Sequence, residues 1–290
     1  MKLFIGLFFK GFSFLISLLP RFVHDRMGDL IGLLWFDVLR IRRRVAIENV
    51  GIAFPDMSLE ERTSLARASL CHMGRTIVEF ALLPFLTKEK IARYFVFENF
   101  EIADAVLKPG KGALMLTLHL GNGDFTTAAM SQMGYPMSLI SKEIKARWLN
   151  DLWFGMRKKH GTQFISAEKS SFEILRALKR NRLVIFVLDQ FMGPPVGVRT
   201  RFFGKETGTA AGLALIAVRT GVPVLPCYTY RRADGVHVAR FEEPILLDDR
   251  LNEQNITVLT QAYTDKLEAI VRRHPEQWMW IHRRWKEFRE

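Results

Sequence analysis

The sequence of 290 residues has only two cysteines, Cys71 and Cys227, and no Cys-x-x-Cys pair. This scarcity argues against a disulfide framework and a cysteine zinc site, and reduced thiols are typical of a protein that faces the cytosol. The sequence also lacks the phosphate-binding pattern GxxxxGK[ST], the serine hydrolase pattern GxSxG and the metalloprotease pattern HExxH. We therefore expect no metal site and no cofactor.

Acidic residues are in the minority, because 30 Asp and Glu stand against 42 Lys and Arg, a formal net charge of +12. Such a balance favours a polyanionic partner, which could be nucleic acid, an anionic membrane leaflet or an acidic carrier protein. The hydrophobic fraction is 49% and the sequence has 23 Phe. Both values are high for a basic nucleic-acid binder, so we expect a lipid environment and no nucleic-acid partner.

The first residues are almost wholly apolar up to Leu19, interrupted by Lys2 and Lys10 and followed by Pro20-Arg21. No small-residue cleavage site follows, so a signal peptide is not indicated. We interpret residues 1–22 as a membrane anchor helix that lies in or enters a bilayer, although a core helix of a soluble domain remains an alternative. No linker follows, so residues 23–290 are predicted to form a single domain with an N-terminal helical portion.

The most informative stretch of the sequence runs from Gly112 to Asp124, GALMLTLHLGNGD. Its apolar run is typical of a buried strand in an α/β sheet, and it ends at His119. A Gly-Asn-Gly turn follows, and Asp124 then begins a segment of helical periodicity. Open α/β sheets bind ligands at the carboxyl ends of their strands, which is where this pattern places His119.

The two glycines permit a turn tight enough to bring the His119 imidazole and the Asp124 carboxylate together. A carboxylate on one ring nitrogen fixes the tautomer and stabilises the imidazolium that forms when the other nitrogen takes a proton. No Ser or Cys nucleophile lies in this stretch, so the base would act directly on a substrate hydroxyl. The alternative is structural, with Asp124 as a helix N-cap and His119 as a hydrogen-bonded core histidine.

Further apolar runs predict strands at residues 136–141 and 183–188, and helical segments separate them. The second run ends in Asp189-Gln190, a polar pair that again lies on the ligand-binding side of such a sheet. The predicted fold class is α/β, with a mixed, mostly parallel central sheet flanked by helices. The tail from Pro275 to Lys286 interleaves Trp with Arg, as interfacial segments do.

His119-Leu-Gly-Asn-Gly-Asp124 resembles the HxxxxD/E signature of the lysophospholipid acyltransferase superfamily. The chain from about residue 3 to 286 is similar to the late lipid A acyltransferases, the lauroyl and myristoyl transferases. The features shared with that family are the N-terminal helix, Arg44 to Asn49 before Ala53-Phe54-Pro55, the Asp189-Gln190 pair, and the tail PEQWMWIHRRWK. The resemblance implies a glycerol-3-phosphate acyltransferase-like fold with an N-terminal membrane-anchor helix.

The resemblance also implies transfer of a fatty acyl chain from acyl carrier protein to a glycolipid hydroxyl at the cytoplasmic face of the bacterial inner membrane. His119 would be the general base and Asp124 its partner. Lys142 stands where the family often has an oxyanion-binding arginine, and Arg147 is a second candidate. Asp189 and Gln190 belong to the site without an assigned role. Candidates for contact with phosphate or the carrier are Arg42, Arg43, Arg44, Arg283 and Arg284.

Two other functions remain open at this point. The same acyl transfer could act on another glycolipid, such as a phosphatidylinositol mannoside. Alternatively, the chain could be a basic membrane-binding protein without catalysis, in which case the arginines would matter and His119 would not.

Overall fold

The computed structural model of the chain describes residues 2–142, 146–167, 170–246 and 253–289. Within these ranges the α-helices are Lys2–Leu18 (α1), Arg21–Leu33 (α2), Arg43–Ala53 (α3), Leu59–Leu82 (α4), Lys88–Tyr94 (α5), Phe100–Leu107 (α6), Gly123–Gln132 (α7), Arg147–Lys159 (α8), Ser170–Lys179 (α9), Gly212–Thr220 (α10) and Ile256–Arg273 (α11). Short 3₁₀ segments lie at Leu83–Phe85, Glu253–Asn255 and Pro275–Gln277, and a π-helical segment at Leu34–Leu39.

The strands in these ranges are Phe95–Glu98 (β1), Ala113–Thr117 (β2), Met137–Ser141 (β3), Gln163–Ser166 (β4), Leu183–Val187 (β5), Gly197–Phe202 (β6), Lys205–Ala210 (β7), Val224–Arg231 (β8) and His237–Phe241 (β9). Seven of them form one sheet in the order β1-β9-β8-β2-β5-β3-β4. Its neighbouring strands are parallel except for β8 and β9. The predicted α/β class with a mixed, mostly parallel sheet is confirmed.

The central strand β2 is buried on both faces. Leu114 and Leu116 pack into one apolar cluster, whereas Ala113 and Met115 pack into a second cluster on the other face. A strand covered on both sides needs apolar residues at every position, which explains the unbroken run in the sequence. Because β2 lies between β8 and β5, its carboxyl end, which precedes His119, is at the centre of the sheet edge.

The Gly- and Pro-rich segment after β5 contains a β-hairpin that the sequence analysis did not predict. Strands β6 and β7 pair antiparallel across a two-residue turn at Phe203-Gly204, where both residues have positive φ. Along β6 the buried residues Thr200 and Phe202 alternate with the exposed residues Arg199 and Arg201. This period of two indicates a half-buried strand, and the surrounding glycines and prolines obscure it in the sequence.

The arginine cluster lies where the N-terminal helical portion changes direction. The chain leaves the helical path at Arg40 and Arg42, which adopt left-handed backbone conformations, and Arg43 begins α3. Cations at a helix N-terminus are unfavourable. Here Arg43 lies 4.0 Å from Asp37, and Arg44 donates to Glu48 at 2.6 Å.

Helix α1 contains 17 residues. Among the helices that the structure describes, none is both long and apolar enough to cross a membrane. The anchor helix over residues 1–22 therefore stays a prediction.

Helices α2 and α4 cross at very close range because glycines face each other. A Cβ added at Gly28 would lie 2.4 Å from the Cα of Arg75, and one added at Gly74 would lie 2.1 Å from the Gly28 oxygen. Asp29 accepts two hydrogen bonds from Arg75 beside this contact, at 2.7 and 2.8 Å. The contact fixes α4, which carries several residues that support the candidate site.

The tail after α11 lies in the core rather than at an interface. Trp278, Trp280 and Arg284 are at most 1% exposed. The Asn49 amide donates to the oxygens of Trp280 and His282, both at 2.7 Å. The interpretation of this tail as an interfacial segment was therefore wrong, because its tryptophans fill the space between α4, the sheet and the β6–β7 hairpin.

Candidate active site

His119 and Asp189 meet at the carboxyl ends of neighbouring parallel strands. In the register of β2 and β5, Thr117 pairs with Val187, so residues 119 and 189 are each two positions past a paired residue. The Nδ1 atom of His119 lies 2.8 Å from Oδ1 of Asp189, and the backbone N–H of His119 donates to Oδ2 at 2.9 Å. A carboxylate accepts only, so the neutral ring carries its proton on Nδ1 and leaves Nε2 as the base.

The two side chains differ in exposure, since that of His119 is 39% exposed and that of Asp189 only 2%. Burial would lower the pKa of His119, but the Asp189 carboxylate outweighs it, so the pKa is raised above its ordinary value. Burial would raise the pKa of Asp189, but His119 and the hydrogen bonds that it receives lower it to about 2. The acid is therefore ionised at neutral pH, next to an imidazole that solvent and substrate can reach.

The C-terminal tail contacts both residues. The indole N–H of Trp278 donates to Oδ2 of Asp189 at 2.8 Å, so this oxygen accepts two hydrogen bonds. Residues 120 and 278 form a β-bridge, and the backbone N–H of Met279 donates to the oxygen of His119 at 3.2 Å. The tail thus fixes the position of the acid and of the histidine at once, a role that the sequence pattern alone did not indicate.

Asp124 has a different partner from the one predicted. The structure pairs His119 with Asp189, whereas Oδ1 of Asp124 accepts a hydrogen bond from Arg157 on α8. Asp124 lies in the first turn of α7, and the N-cap of that helix is Asn122, whose side chain accepts from the N–H of Phe125. Asp124 is still close enough to contribute to the raised pKa of His119.

Arg157 is a site-adjacent cation that the sequence analysis missed. Arg157 is 7% exposed, and its guanidinium lies 4.3 Å from the centroid of the Trp153 ring. The Nε atom of Arg157 has no hydrogen-bond partner in the part of the chain that the structure describes. Its place in an ordinary amphipathic helix gave no signal in the sequence.

Gln190 also lies at the imidazole. Its Nε2 atom is 3.5 Å from Nε2 of His119, on the side of the ring that faces away from Asp189. The next residue, Phe191, donates its backbone N–H to Nε2 of His282 at 3.2 Å, which ties this loop to the tail. Burial lowers the pKa of His282 to about 4, so this second histidine is neutral and acts as an acceptor.

The remaining predicted residues are spread more widely. Lys142 is exposed just after β3, and Arg147 begins α8 with its side chain outside the described part of the structure. Arg284 was expected at the surface, but it is buried and donates to the oxygens of Gln190 and Gly208 at 2.9 and 2.6 Å. It therefore supports the site loop from inside and does not present a cation to an external anion.

The other basic candidates lie nearer the surface. Arg42, Arg44 and Arg283 are exposed, and Arg43 is half-buried with its guanidinium over the Phe36 ring. Arg42 also donates to the oxygen of Ile281 at 3.3 Å, which brings the arginine cluster next to the tail.

A cavity of about 520 Å³ lies elsewhere in the molecule. It is lined by Gly112 and Pro223, which precede β2 and β8, and by α6. These positions are at the amino ends of the strands, opposite His119. This cavity therefore does not serve the His119–Asp189 pair.

A model of the bacterial lipid A biosynthesis acyltransferase family matches residues 2–287. A lipid A biosynthesis lauroyltransferase from Escherichia coli is 26% identical over 95% of this chain and 89% of the relative. A phosphatidylinositol mannoside acyltransferase from Mycobacterium tuberculosis is 27% identical over 75% of this chain and 69% of the relative. A crystal structure of a 1-acyl-sn-glycerophosphate acyltransferase from Thermotoga maritima has a TM-score of 0.39 and 14% identity, covering 87% of this chain and 99% of that one.

Proposed function

Since this chain belongs to the bacterial lipid A biosynthesis acyltransferase family, we propose that it transfers a fatty acyl chain from acyl carrier protein to a hydroxyl of a lipid A precursor. The observation that carries this proposal is the half-exposed imidazole of His119 held by the buried carboxylate of Asp189. A base oriented in this way can activate an alcohol directly.

In the proposed reaction, Nε2 of His119 takes the proton of the acceptor hydroxyl as its oxygen bonds to the thioester carbonyl carbon. The carbonyl becomes a tetrahedral oxyanion, which collapses as the C–S bond breaks. The thiolate of the donor then takes the proton from the imidazolium, so the products are an ester and a free thiol. Asp189 keeps Nδ1 protonated throughout and stabilises the imidazolium.

The oxyanion needs hydrogen-bond donors or a cation next to the reacting carbon. The amide of Gln190 is adjacent to Nε2 of His119 and is therefore the donor nearest to the reacting hydroxyl. Arg157 is held close by through Asp124, and Lys142 and Arg147 remain candidates from the sequence. We assign Asp124 to the placement of Arg157, while Asp189 orients the base.

We further propose that the protein works at the cytoplasmic face of the inner membrane, attached through α1. Large apolar side chains support this, since Phe14, Leu15 and Leu18 are 50%, 63% and 64% exposed. Arg42, Arg43 and Arg44 at the start of α3 are the basic residues that we propose for contact with lipid phosphates or the acidic carrier. Arg283 is exposed on the tail next to this cluster.

A second acceptor class is supported by one specific finding, the likeness to a phosphatidylinositol mannoside acyltransferase. The chemistry of the His119–Asp189 pair is the same for any alcohol, so the pair itself does not distinguish the two acceptors.

The test is a reconstitution with purified full-length protein in detergent micelles. Acyl carrier protein or coenzyme A thioesters serve as donors, and a lipid A precursor or a phosphatidylinositol mannoside serves as acceptor, with products identified by mass spectrometry. We expect one added acyl chain on the lipid A precursor with the carrier-protein donor. Transfer to the mannoside alone would replace the acceptor, and no transfer from either donor to either acceptor would contradict the proposed function.

A further inference from the structure

A buried ionic cluster lies directly behind the turn that connects His119 to α7. We call Glu79, Arg231, His237 and His72 the Glu79 cluster. The guanidinium of Arg231 donates to both carboxylate oxygens of Glu79, at 3.0 and 2.7 Å, and Nε2 of His237 lies 2.9 Å from Oε1. The side chains of Glu79 and Arg231 are 9% and 0% exposed.

The charges in this cluster are balanced internally. Burial would raise the pKa of Glu79, but Arg231 and His237 hold it well below its usual range, so Glu79 is ionised. Burial lowers the pKa of His72 to about 3, and its neutral Nδ1 accepts from Arg231 at 2.9 Å. Buried ion pairs are costly to desolvate, and a non-polar replacement often stabilises a fold as well or better. The cluster therefore invites a functional explanation.

One carboxylate oxygen of Glu79 contacts the turn itself. Oε2 of Glu79 accepts a hydrogen bond from the side-chain amide of Asn122 at 2.8 Å. Because the NH₂ group of Asn122 donates to Glu79, its Oδ1 atom faces α7, where it accepts from the N–H of Phe125 at 3.0 Å and caps the helix. Glu79 thereby sets the position of Asn122, the middle residue of the Gly-Asn-Gly turn that follows His119.

A second connection runs through Gln277. Its side chain accepts from the backbone N–H of Arg231 at 2.7 Å and donates to the Arg231 oxygen at 2.8 Å. Its backbone oxygen accepts from Gly121 at 3.3 Å, and the next residue, Trp278, donates to Asp189. The Glu79 cluster thus contacts the supports of both members of the catalytic pair.

The turn also packs closely against strand β8 at Gly121. Gly121 has φ +56°, and a Cβ there would lie 2.5 Å from the backbone oxygen of Thr229. The hydroxyl of Thr76 on α4, one turn before Glu79, donates to the Gly121 oxygen at 3.3 Å. Contacts from α4, β8 and the tail therefore converge on this one residue.

We propose that Glu79 is a positioning residue: through Asn122 on one side, and through Arg231 and Gln277 on the other, it holds the His119 turn where the imidazole meets Asp189. Only the catalytic consequence rests on the proposed function. Displacement of a catalytic group by about 1 Å can lower the rate on the order of a hundredfold. Glu79 itself touches neither the imidazole of His119 nor the carboxylate of Asp189 through any hydrogen bond of the described residues.

Three variants separate this role from general stability. Glu79→Gln removes the charge, and Asn122→Ser keeps a capping side chain for α7 but removes the amide that donates to Glu79. Asn122→Ser leaves the Glu79 cluster intact, so it remains informative if Glu79→Gln does not fold. The control is Glu242→Gln, because Glu242 is similarly buried, at 11% exposure, and pairs with Lys266 and Arg273 at 2.6 Å each, away from the turn.

The first measurement is hydrogen exchange of the substrate-free full-length protein, resolved by mass spectrometry for peptides that cover residues 118–126. We expect exchange in this turn to accelerate about tenfold or more in Glu79→Gln and Asn122→Ser, while Glu242→Gln stays like the wild type there. Unchanged turn exchange in folded Asn122→Ser and Glu79→Gln would overturn the proposal. So would an acceleration spread evenly over the whole chain, since that would indicate a purely structural role.

The second measurement is steady-state acyl transfer. We expect both test variants to lower kcat about tenfold or more with little change in KM, because substrate contacts are kept while the base is misplaced. Loss of kcat without faster turn exchange would also overturn the proposal. If the wild type transfers no acyl chain at all, the proposed function fails, whereas the exchange experiment still decides whether Glu79 positions the turn.

Discussion

Two acid–imidazole pairs of nearly equal length lie within this molecule, and they behave in opposite ways. Asp189 is 2.8 Å from His119, and Glu79 is 2.9 Å from His237. The pKa of His119 is raised by its carboxylate, whereas burial lowers the pKa of His237 despite Glu79. Each carboxylate is buried and ionised, so the difference does not lie in the acids.

The difference lies in what else each carboxylate binds. Glu79 is already neutralised by Arg231, so it has little charge left to stabilise a second cation, and His237 is 1% exposed. Among the residues that the structure describes, Asp189 receives hydrogen bonds from two neutral donors, Trp278 and a backbone N–H, besides the imidazole. An acid that accepts no hydrogen bond from a permanent cation among the described residues, next to a ring that is 39% exposed, can support proton transfer. In the Glu79 cluster, by contrast, Arg231 keeps the carboxylate neutralised and its hydrogen-bond geometry fixed.

His119→Ala should therefore mainly lower turnover, whereas His237→Ala should mainly lower stability. His119→Ala should lower turnover by ~10²–10⁴-fold, the usual contribution of a general base. It should lower the free energy of unfolding by about 1.5–3 kcal/mol, the value of a hydrogen bond to a charged group. Steady-state kinetics and urea denaturation of the same preparations provide both numbers.

His237→Ala is the matched comparison. The imidazole of His237 packs against the rings of Phe95 and Phe125, with centroid distances of 5.1 and 5.3 Å, so its removal leaves a cavity. We expect a larger loss of stability than in His119→Ala and a much smaller loss of turnover. Full turnover in folded His119→Ala would contradict the general-base assignment.

Asp189→Asn should cause the next largest loss of turnover, because the hydrogen bonds around Asp189 determine the orientation of an amide at this position. Position Oδ2 receives two donors, the N–H of His119 and the indole of Trp278, so an amide oxygen must occupy it. The NH₂ group then faces Nδ1 of His119, which must accept and thereby moves the ring proton to Nε2. A ring in that tautomer cannot take the substrate proton, and turnover should fall on the order of a thousandfold.

The pH dependence of kcat/KM tests Asp189→Asn in a second way, because the direction of its shift follows from the pKa of His119. The base must be neutral, so kcat/KM should decline as the pH falls through the raised pKa of His119. Removal of the Asp189 charge leaves burial as the main influence on that pKa, so the acidic limb should move to lower pH. Asp124→Asn is the comparison variant, because it keeps Asp189 and loses only the weaker of the two carboxylate contributions to that pKa. An Asp124→Asn loss larger than that of Asp189→Asn would reverse the two roles.

The sequence predicted His119 and Asp189 at the same edge of the sheet, but it paired His119 with Asp124, whereas the structure pairs it with Asp189. His119 and Asp189 were both identified as polar residues after apolar strands. Their contact depends on β5 lying next to β2, although β3 is the strand that follows β2 in the chain. Strand order is a property of the whole sheet and cannot be taken from local periodicity. Asp124, five residues from His119, was therefore the only partner that local reasoning could offer.

Other features were missed because burial is not visible in residue type. The tail was assigned to an interface from its Trp and Arg content, yet Trp278 and Arg284 are fully buried and hydrogen-bonded. Strands β1 and β4 have four residues each, too few for a periodicity to stand out. The longer elements β2, β5 and α11 follow directly from their apolar patterns.

Trp278→Phe should have the smallest effect and is the finest test of the comparison between the two pairs. It removes one neutral donor from Asp189 while His119 and its backbone N–H stay in place. Only part of the energy of this one hydrogen bond affects the base, so turnover should fall by no more than about tenfold.

Trp280→Phe is the control for the loss of a large buried ring. Trp280 is as buried as Trp278, but its indole donates to the oxygen of Pro275 at 2.7 Å and not to a carboxylate. Both variants should be destabilised by a similar cavity, which thermal unfolding can measure. Only Trp278→Phe should then lower kcat at a temperature where both proteins are folded, because only its indole restrains the acid that orients the base. Equal kinetic losses in the two variants would mean that the tail affects turnover through core packing alone.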